Sequence, residues 1–467
     1  MAEIVEPSLA ELRGLASVEE IRAEAEHSAT APPLKNNTHI HLPPNFSAFE
    51  NVAQAVELAA RESVKVLGVS NYYDFTVYGD FIAETRRRNV FPLFGLEITA
   101  MDDELRRTGV KLNDPGNPGK LYICGKGITR FAPAGTDSQF PNGRPLSAAC
   151  RLGVSVPAEA RRLMELIRRN DTARMAEMIR RMEEAFAAHG VATKLDLEAV
   201  IARIVARHGC DRATVYPQER HAAQAFQEVL FEQVQPAQRP DKLAAILGQR
   251  GLTPPAGRRP RVAGRLEIGC LSPLDPVKVQ NDIRSHLMKA GKPAFVEEKF
   301  VNIEEARKLI LELGGIPCYP VVADGASPVS PFEESPEKLI GNLTRWGITC
   351  VEFITLRNKP EVLARYVLAC RAAGLAATAG TEHNTLDLVR LEPACAGGAE
   401  VPAETRETLW EGACVVAAHQ FLCLHGECGF VDGQGRPNPA YKDAEERIGA
   451  FHKLGAAVIH KALGIRL

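Results

Sequence analysis

The stretch Asn37-Thr-His-Ile-His41 begins a regular alternation of strand and helix patterns, and this alternation decides the fold. Apolar residues at helical spacing follow over 49–61. The run 64–69 is short, rich in β-branched residues and bounded by polar residues, which is typical of a buried strand. A helix over 76–88 and a strand over 90–98 repeat the unit. Strands that alternate with helices at this pitch predict parallel βα units.

The same alternation returns late in the chain. The pattern predicts helices over 302–313, 335–345 and 359–373, each followed by a strand, over 316–320, 348–354 and 375–379. Gly314-Gly315 and Gly374 are typical signals for the end of a helix. In a barrel built from such units, catalytic side chains stand at the carboxyl ends of the strands.

A stretch of different composition separates the two halves of the barrel pattern. Residues 129–152 and 251–265 are rich in residues that break helices, and 156–250 carries helical spacing such as Met175-Ile179-Met182-Phe186. This pattern predicts a helical insertion joined to the barrel by two flexible segments. The predicted organisation is an N-terminal helical segment over 1–35, a first barrel part over 36–128, the insertion over 129–265, a second barrel part over 266–400 and a helical C-terminal extension over 401–467.

The composition is that of a globular protein, with 467 residues, 45% hydrophobic and 24% charged. A net charge of -2 gives no general attraction to nucleic acid, and none is expected as a partner. The eleven cysteines show no repeated spacing, which predicts reduced thiols in a cytoplasmic protein. No apolar run approaches the roughly 18 residues of a membrane span. The C-terminal helices are expected to pack on the barrel or to mediate self-association.

Three strand ends carry side chains that bind metal ions. His39 and His41 are two residues apart on a predicted strand, so both imidazoles point to the same face. Glu97 follows the apolar residues of a later strand, and Gly380-Thr-Glu-His-Asn384 follows the last one. Imidazole and carboxylate together suit Zn, Mn or Fe. A divalent metal ion is therefore the expected cofactor, and no organic cofactor is expected.

The order of these motifs resembles that of the polymerase-and-histidinol-phosphatase (PHP) family of metal-dependent phosphoesterases. The matching residues are His39 and His41, Gly95-Leu96-Glu97, Gly314-Gly315, Tyr319-Pro320, Gly380-Thr-Glu-His-Asn384 and, in the insertion, Gly190, Arg220-His221 and Phe226. The resemblance covers most of 36–390. It implies a distorted TIM-like (β/α)7 barrel with a helical insertion and a helical C-terminal extension.

The chain departs from the family pattern at several expected ligands. Tyr72, Tyr122 and Tyr319 stand where the family has histidine, and Asn384 stands at the last expected histidine. The resemblance therefore implies a reduced ligand set that suits a single ion. The predicted ligands are His39, His41, Glu97 and Glu382, with His383 added if the strand end shifts by one residue.

The resemblance implies hydrolysis of a small, anionic phosphoester by a metal-bound water. In this hypothesis Asp74 is the general base, and the other predicted active-site residues are Tyr72, Tyr122 and Tyr319. The predicted substrate-binding residues are Lys126, Arg220, His221 and Asn384. Two alternatives remain open: a single-metal lyase or isomerase acting on a hydroxylated acid or sugar, and a barrel that binds a ligand without catalysis. Cys423, His425 and Cys428 lack a fourth ligand at standard spacing, which favours ordinary thiols over a metal knuckle.

Overall fold

The structure is a computed structural model that describes residues 9–28, 32–131, 156–248 and 275–465. The chain divides into two compact units, one formed by Met1–Arg168 together with Phe300–Leu467 and the other by Arg169–Lys299. The loops that the sequence predicts over 129–152 and 251–265 lie almost entirely outside the described residues.

The first unit is built on one sheet. Its strands are β1 (Asn36–Ile40), β2 (Val66–Val69), β3 (Phe91–Met101), β4 (Lys120–Lys126), β5 (Val301–Asn302), β6 (Ile316–Val321), β7 (Cys350–Ile354) and β8 (Ala376–Gly380). The strand order is β1-β2-β3-β4-β6-β7-β8, with β5 paired to β3. A parallel bridge between Ile40 and Glu382 brings the two ends of the sheet together. The predicted α/β barrel class is confirmed, because seven strands form a nearly closed sheet surrounded by helices.

Helices account for most of the remaining described residues. They are α1 (Leu9–Arg13), α2 (Val18–Ser28), α3 (Val52–Arg61), α4 (Tyr78–Arg87), α5 (Asp103–Arg107), α6 (Ala158–Ala187), α7 (Leu197–His208), α8 (Glu219–Gln233), α9 (Arg239–Ile246), α10 (Pro276–Ile283), α11 (Ile303–Glu312), α12 (Pro336–Arg345), α13 (Pro360–Ala372), α14 (Ala403–Leu424) and α15 (Ala444–Leu463). In the described part of the chain, none of them combines the length and apolar character needed to cross a membrane.

One strand runs against the direction that the sequence pattern suggests. β4 is antiparallel to both of its neighbours, β3 and β6. The connection over 102–119 contains only one short helix, α5, before the chain returns along β3. This course places Lys126 beside Gly95 and Cys124 beside Glu97.

The C-terminal extension is part of the barrel core. Buried side chains of α14 and α15 form one hydrophobic cluster with residues of the barrel strands, including Val66, Phe91 and Ala376. Gly412 lets α14 pack directly against β8, because a Cβ atom at this position would lie 1.8 Å from the carbonyl oxygen of Ala377. The extension packs on the barrel, as expected, and self-association through these helices stays a prediction.

The second unit has a helical core of its own. Met175, Ile179, Met182 and Phe186 are all fully buried on α6, which confirms the helical spacing read from the sequence. They pack with side chains of α7, α8 and α10 in a single cluster. This unit extends to Lys299, beyond the predicted end of the insertion at 265.

Candidate metal centre

Three side chains from two strands bring their ligand atoms to one point. His39 lies in β1, His41 follows its last residue, and Glu97 lies in β3. The Nε2 atoms of the two histidines are 3.3 Å apart. Oε2 of Glu97 lies 3.2 Å from Nε2 of His39 and 3.3 Å from Nε2 of His41. All three side chains are buried, with at most 6% of the residue exposed.

These separations fit the coordination of a divalent ion. Ligand atoms that sit at tetrahedral corners about 2.0 Å from zinc are separated by about 3.3 Å from each other. The three atoms of this site therefore already form one face of such a tetrahedron. Two imidazoles and one carboxylate are also a ligand set that zinc, manganese and iron accept. Three protein ligands leave at least one coordination position open, which is typical of catalytic rather than structural sites.

A buried carboxylate on a neighbouring strand orients His39. Oε2 of Glu352, in β7, lies 2.6 Å from Nδ1 of His39. Because Nδ1–H then donates to the carboxylate, Nε2 keeps its lone pair for the ion. Histidine ligands are held in this way in many metal sites. Glu352 thus supports the centre from behind the ligands.

Lys126 balances the charge of Glu352. Its Nζ donates to Oε1 of Glu352 at 2.5 Å and to the carbonyl oxygen of Thr38 at 3.0 Å. Lys126 is 2% exposed and Glu352 is fully buried. Burial alone would raise the pKa of Glu352, but Lys126 and His39 outweigh it and lower that pKa to about 2. The carboxylate is therefore charged at neutral pH, and the same pairing raises the pKa of Lys126 against the effect of burial.

This arrangement changes the interpretation of Lys126. The sequence predicts a substrate-binding amine, but the side chain is buried and its amine is bonded to Glu352. The physical reason is the direction of β4, because the antiparallel course places Lys126 beside Gly95 in the middle of β3, where the side chain is covered on all sides. The predicted substrate role has no support in this geometry.

A second group of potential ligands shares His39 but is less suited to an ion. It combines Nδ1 of His39 with Cys124 and Glu352. Nδ1 is already bonded to Glu352, and the carboxylate is already neutralised by Lys126. Burial raises the pKa of Cys124 to about 11, so the thiol is not the thiolate that binds metals. The group of His39, His41 and Glu97 is therefore the candidate centre.

Tyr72 holds the free oxygen of the Glu97 carboxylate. Its hydroxyl donates to Oε1 of Glu97, and its ring stacks on His41 with the ring centroids 5.3 Å apart and the planes 2° apart. Burial, together with the charge of Glu97, raises the pKa of Tyr72 well above its usual value, so the hydroxyl remains a donor. Tyr72 thus touches two of the three ligands at once.

Two of the predicted ligands are directed elsewhere. Oε2 of Glu382 accepts hydrogen bonds from Arg357 and from Nδ2 of Asn384, the latter at 2.7 Å. His383 uses both ring nitrogens, with Thr381 at 2.8 Å and the carbonyl oxygen of Val389 at 3.0 Å. The backbone causes this, because Glu382 and His383 have φ angles of 58° and 53° and turn the chain away from the strand direction. The described ligand groups contain neither residue, so their predicted ligand roles are not supported.

The predicted active-site tyrosine Tyr319 lies in the core. It is fully buried, and its hydroxyl donates to Glu333 at 2.8 Å. The side chain therefore supports a buried carboxylate, and its predicted contact with substrate has no support. Tyr122 is half-buried on β4, opposite Thr99 of β3, and its predicted role stays a prediction.

The remaining predicted residues lie on neighbouring loops or in the second unit. Asp74 accepts from the backbone N–H of Thr76 at 3.0 Å and lies 3.5 Å from Arg168. Its role as a general base stays a prediction. Arg220 and His221 lie on α8 of the second unit, where Nδ1 of His221 accepts the backbone N–H of Gln218. Their substrate role also stays a prediction, because the centre described above consists of first-unit residues. Cys423, His425 and Cys428 form no ligand group among the described residues.

Glu352 and Arg357 were missed by the sequence analysis. Glu352 stands in the middle of the buried apolar strand Cys-Val-Glu-Phe-Ile, and a lone carboxylate in such a strand needs a partner. That position was a usable signal. Arg357 follows the same strand in a short turn, and nothing in its neighbourhood distinguishes it from an ordinary surface arginine.

Comparisons with known proteins give similarity to solved structures only. No family model matches the sequence, and no curated protein matches it. A protein from Bifidobacterium adolescentis described as a metal-dependent phosphoesterase aligns at 14% identity and a TM-score of 0.47, covering 81% of this chain and 97% of that one. An amidohydrolase from Chromobacterium violaceum aligns at 15% identity and a TM-score of 0.44, covering 80% and 96%. Each description applies to that protein.

The fold and the side chains described above define an α/β barrel protein with a candidate metal-ion centre.

Proposed function

We propose that this protein is a hydrolase that uses one divalent ion, Zn, Mn or Fe, bound by His39, His41 and Glu97. The observation that carries the proposal is the set of separations of 3.2–3.3 Å among three buried ligand atoms. A hydrogen bond to the buried carboxylate would need only one of the two imidazoles, whereas here both Nε2 atoms lie within 3.3 Å of Oε2 and of each other, as the ligands of one ion do. The substrate class we propose is a small phosphorylated molecule, on the basis of the motif resemblance.

The protein side chains supply orientation and charge balance. When bound, the ion would lower the pKa of a water molecule and neutralise developing charge on a phosphoryl oxygen. Glu352 fixes the tautomer of His39, and Tyr72 fixes one oxygen of Glu97 while the other oxygen faces the ion site. Lys126 keeps Glu352 charged in a buried environment. Each ligand from β1 and β3 is thus held by a partner or by strand pairing before any substrate arrives.

A lyase or isomerase that uses a lone ion to polarise a carbonyl is the alternative chemistry. It shares the ion site and differs in the substrate class, so a phosphatase assay separates the two. Binding without catalysis is the second alternative, and it predicts a folded protein that fails every hydrolysis assay.

The test is metal content, followed by a substrate screen. Protein purified without chelator or histidine tag is analysed for metals beside His41→Ala and Glu97→Gln, with His425→Ala as the matched control, since His425 lies outside the ligand groups. We expect about one equivalent of ion in the wild type and in the control, and loss in the other two. Hydrolysis of p-nitrophenyl phosphate and bis(p-nitrophenyl) phosphate with added Mn or Zn then tests the substrate class. A folded wild type that binds no metal would refute the proposal.

A further inference from the structure

Two side chains donate to the same carboxylate oxygen near the ion site. Arg357 and Asn384 both bond to Oε2 of Glu382. Arg357 belongs to the short turn Thr355–Arg357 that directly follows β7, and Glu382 follows β8. The side chain of Arg357 is 41% exposed and that of Glu382 is 12% exposed, so this group lies at the surface of the barrel end.

Backbone hydrogen bonds fix Glu382 beside the metal ligands. Its N–H donates to the carbonyl oxygen of His39 at 2.9 Å, and its carbonyl oxygen accepts from the N–H of His41 at 2.8 Å. Glu382 therefore occupies a strand position next to Ile40, between the two histidine ligands. Paired strands lie about 5 Å apart. The backbone of Glu382, which carries the carboxylate and precedes Asn384 by two residues, thus lies one strand spacing from the ligand-bearing strand.

The two donors are held in place by buried neighbours. Asn358, which follows Arg357, is fully buried and donates to Val322 at 2.8 Å and to Asp324 at 2.9 Å. On the other side, His383 stacks on Phe49, with the ring centroids 4.7 Å apart. The positive φ angles of Glu382 and His383 are strained for residues with side chains, and such strain is kept where the surrounding structure enforces it. The donors are therefore presented by rigid segments.

We infer that Arg357 and Asn384 bind the anionic group of the substrate, and that the Glu382 carboxylate occupies this oxyanion position until the substrate displaces it. The inference rests on the proposed function, because it names the substrate-binding residues of that site. A guanidinium offers paired N–H donors that match phosphate, and an amide N–H adds a neutral donor. Glu382 then competes with the substrate for these donors. An anion that binds the two donors more weakly than the carboxylate does is therefore excluded.

The chemistry distinguishes this role from the ligand role that the sequence suggested for Glu382. If the carboxylate binds the ion, Glu382→Gln lowers metal affinity. If it competes with an anion, the same change leaves the metal bound and strengthens anion binding, because it removes a negative charge and frees a charged donor.

Titration with inorganic phosphate tests the inference. Binding is measured by calorimetry on protein loaded with Mn and again on chelator-treated protein, for the wild type, Arg357→Met, Asn384→Ala and Glu382→Gln. Arg436→Met is the matched control, because it removes a surface arginine that pairs with Asp432 in the same chain. We expect phosphate affinity to fall at least about tenfold for Arg357→Met and to rise about three- to tenfold for Glu382→Gln. Asn384→Ala is expected to weaken binding less than Arg357→Met does, and the control is expected to bind as the wild type does.

Separate readouts distinguish the failure of this inference from that of the proposed function. Phosphate binding that does not change in Arg357→Met, or metal loss in Glu382→Gln, would overturn the role of the arginine and its partner. Arg357→Lys, which keeps the charge but not the paired donors, is expected to restore part of the affinity if the fold is intact. Arginine-dependent phosphate binding in a protein that holds no metal would support the anion site and refute the hydrolase.

Discussion

Oε2 of Glu352 lies 2.6 Å from Nδ1 of His39, and the Nε2 atom of the same ring faces Glu97 at 3.2 Å. One imidazole thus connects a buried carboxylate on β7 to the ligand group formed by β1 and β3. Neither contact is local in sequence, since 313 residues separate His39 from Glu352.

Replacement of Glu352 by Gln should weaken metal binding about 10- to 100-fold, the usual effect of removing an outer partner of a histidine ligand. The amide cannot accept from His39 as strongly as the carboxylate does. Competition with a chromophoric chelator measures the change. Glu333→Gln is the control, because Glu333 is another fully buried glutamate, bonded to Tyr319 and not to a ligand. Equal metal affinity in Glu352→Gln and the wild type would contradict the orienting role.

Replacement of Lys126 by Met should destabilise the protein by about 3–5 kcal/mol, because it leaves the Glu352 carboxylate buried without its cation. Urea unfolding of the metal-free protein measures the loss. Lys126→Met combined with Glu352→Gln should recover more than half of it, since the buried charge is then removed with its partner. Additive losses in the double variant would mean that the two side chains do not interact.

Replacement of Tyr72 by Phe should lower metal affinity about tenfold, within the range seen for partners of metal ligands. The change removes the hydroxyl that donates to Glu97 but keeps the ring stacked on His41. Chelator competition provides the readout, with Tyr441→Phe as the control, since that ring packs on Phe451 in the C-terminal extension. An unchanged affinity in Tyr72→Phe would show that the hydroxyl does not position the carboxylate.

Acidification should destabilise the protein partly through His419. Its Nε2 bonds to the carbonyl oxygen of Gly314 at 2.9 Å, and its Nδ1 accepts from Phe430 at 3.0 Å, so the ring is held neutral. Burial lowers the pKa of His419 from 6.5 to about 4. Between pH 6.5 and pH 4, His419 therefore binds a proton in the unfolded chain but not in the folded chain. The stability that His419 contributes is complete above this pH and declines by up to about 3 kcal/mol as the pH falls to 4.

Urea unfolding at pH 7 and pH 5 tests the His419 effect. His419→Gln, which can keep one of the two bonds, should be less stable at pH 7 and should lose less stability between the two pH values than the wild type does. His383, whose pKa burial also lowers to about 4, remains in the variant and retains its own share of the slope. The same loss between pH 7 and pH 5 in both proteins would exclude His419 as a source of the acid sensitivity.

Replacement of Gly412 by Ala should destabilise the protein by at least about 1–3 kcal/mol, the usual cost of overpacking. The new methyl group would meet the carbonyl oxygen of Ala377 on β8. Gly449→Ala on α15 is the matched control, because its Cβ would meet nothing within 4 Å. It should be neutral or stabilising by up to about 1 kcal/mol through helix propensity. Thermal unfolding of both variants compares them directly.

Sequence reasoning located the barrel strands and the three candidate ligands for a physical reason. β2 and the first part of β3 are apolar runs, and His39 and His41 share a face because strand side chains alternate. Glu97 followed from its position after an apolar run. These features depend on local patterns, which a single sequence displays.

The remaining features depend on backbone direction, which the sequence does not display. The positive φ of Glu382 and His383 takes the chain out of strand geometry at the point where the sequence predicts a ligand. The antiparallel course of β4 places Lys126 in the interior, although a parallel strand would have presented it at the catalytic end. The contact between Glu352 and His39 could not be predicted, because the two residues are 313 positions apart and the sequence does not show that β7 lies beside β8.

The long separation between His39 and Glu352 has a consequence for biosynthesis. His39, His41 and Glu97 leave the ribosome early, but the residue that orients His39 is made on the order of half a minute later at ordinary rates of elongation. During that interval the proposed ligands lack the partner that orients His39, and we expect the nascent chain to bind an ion only weakly. Under the proposed function, full ion affinity requires β7 in the sheet, so strong ion binding is a late event in the synthesis of the chain.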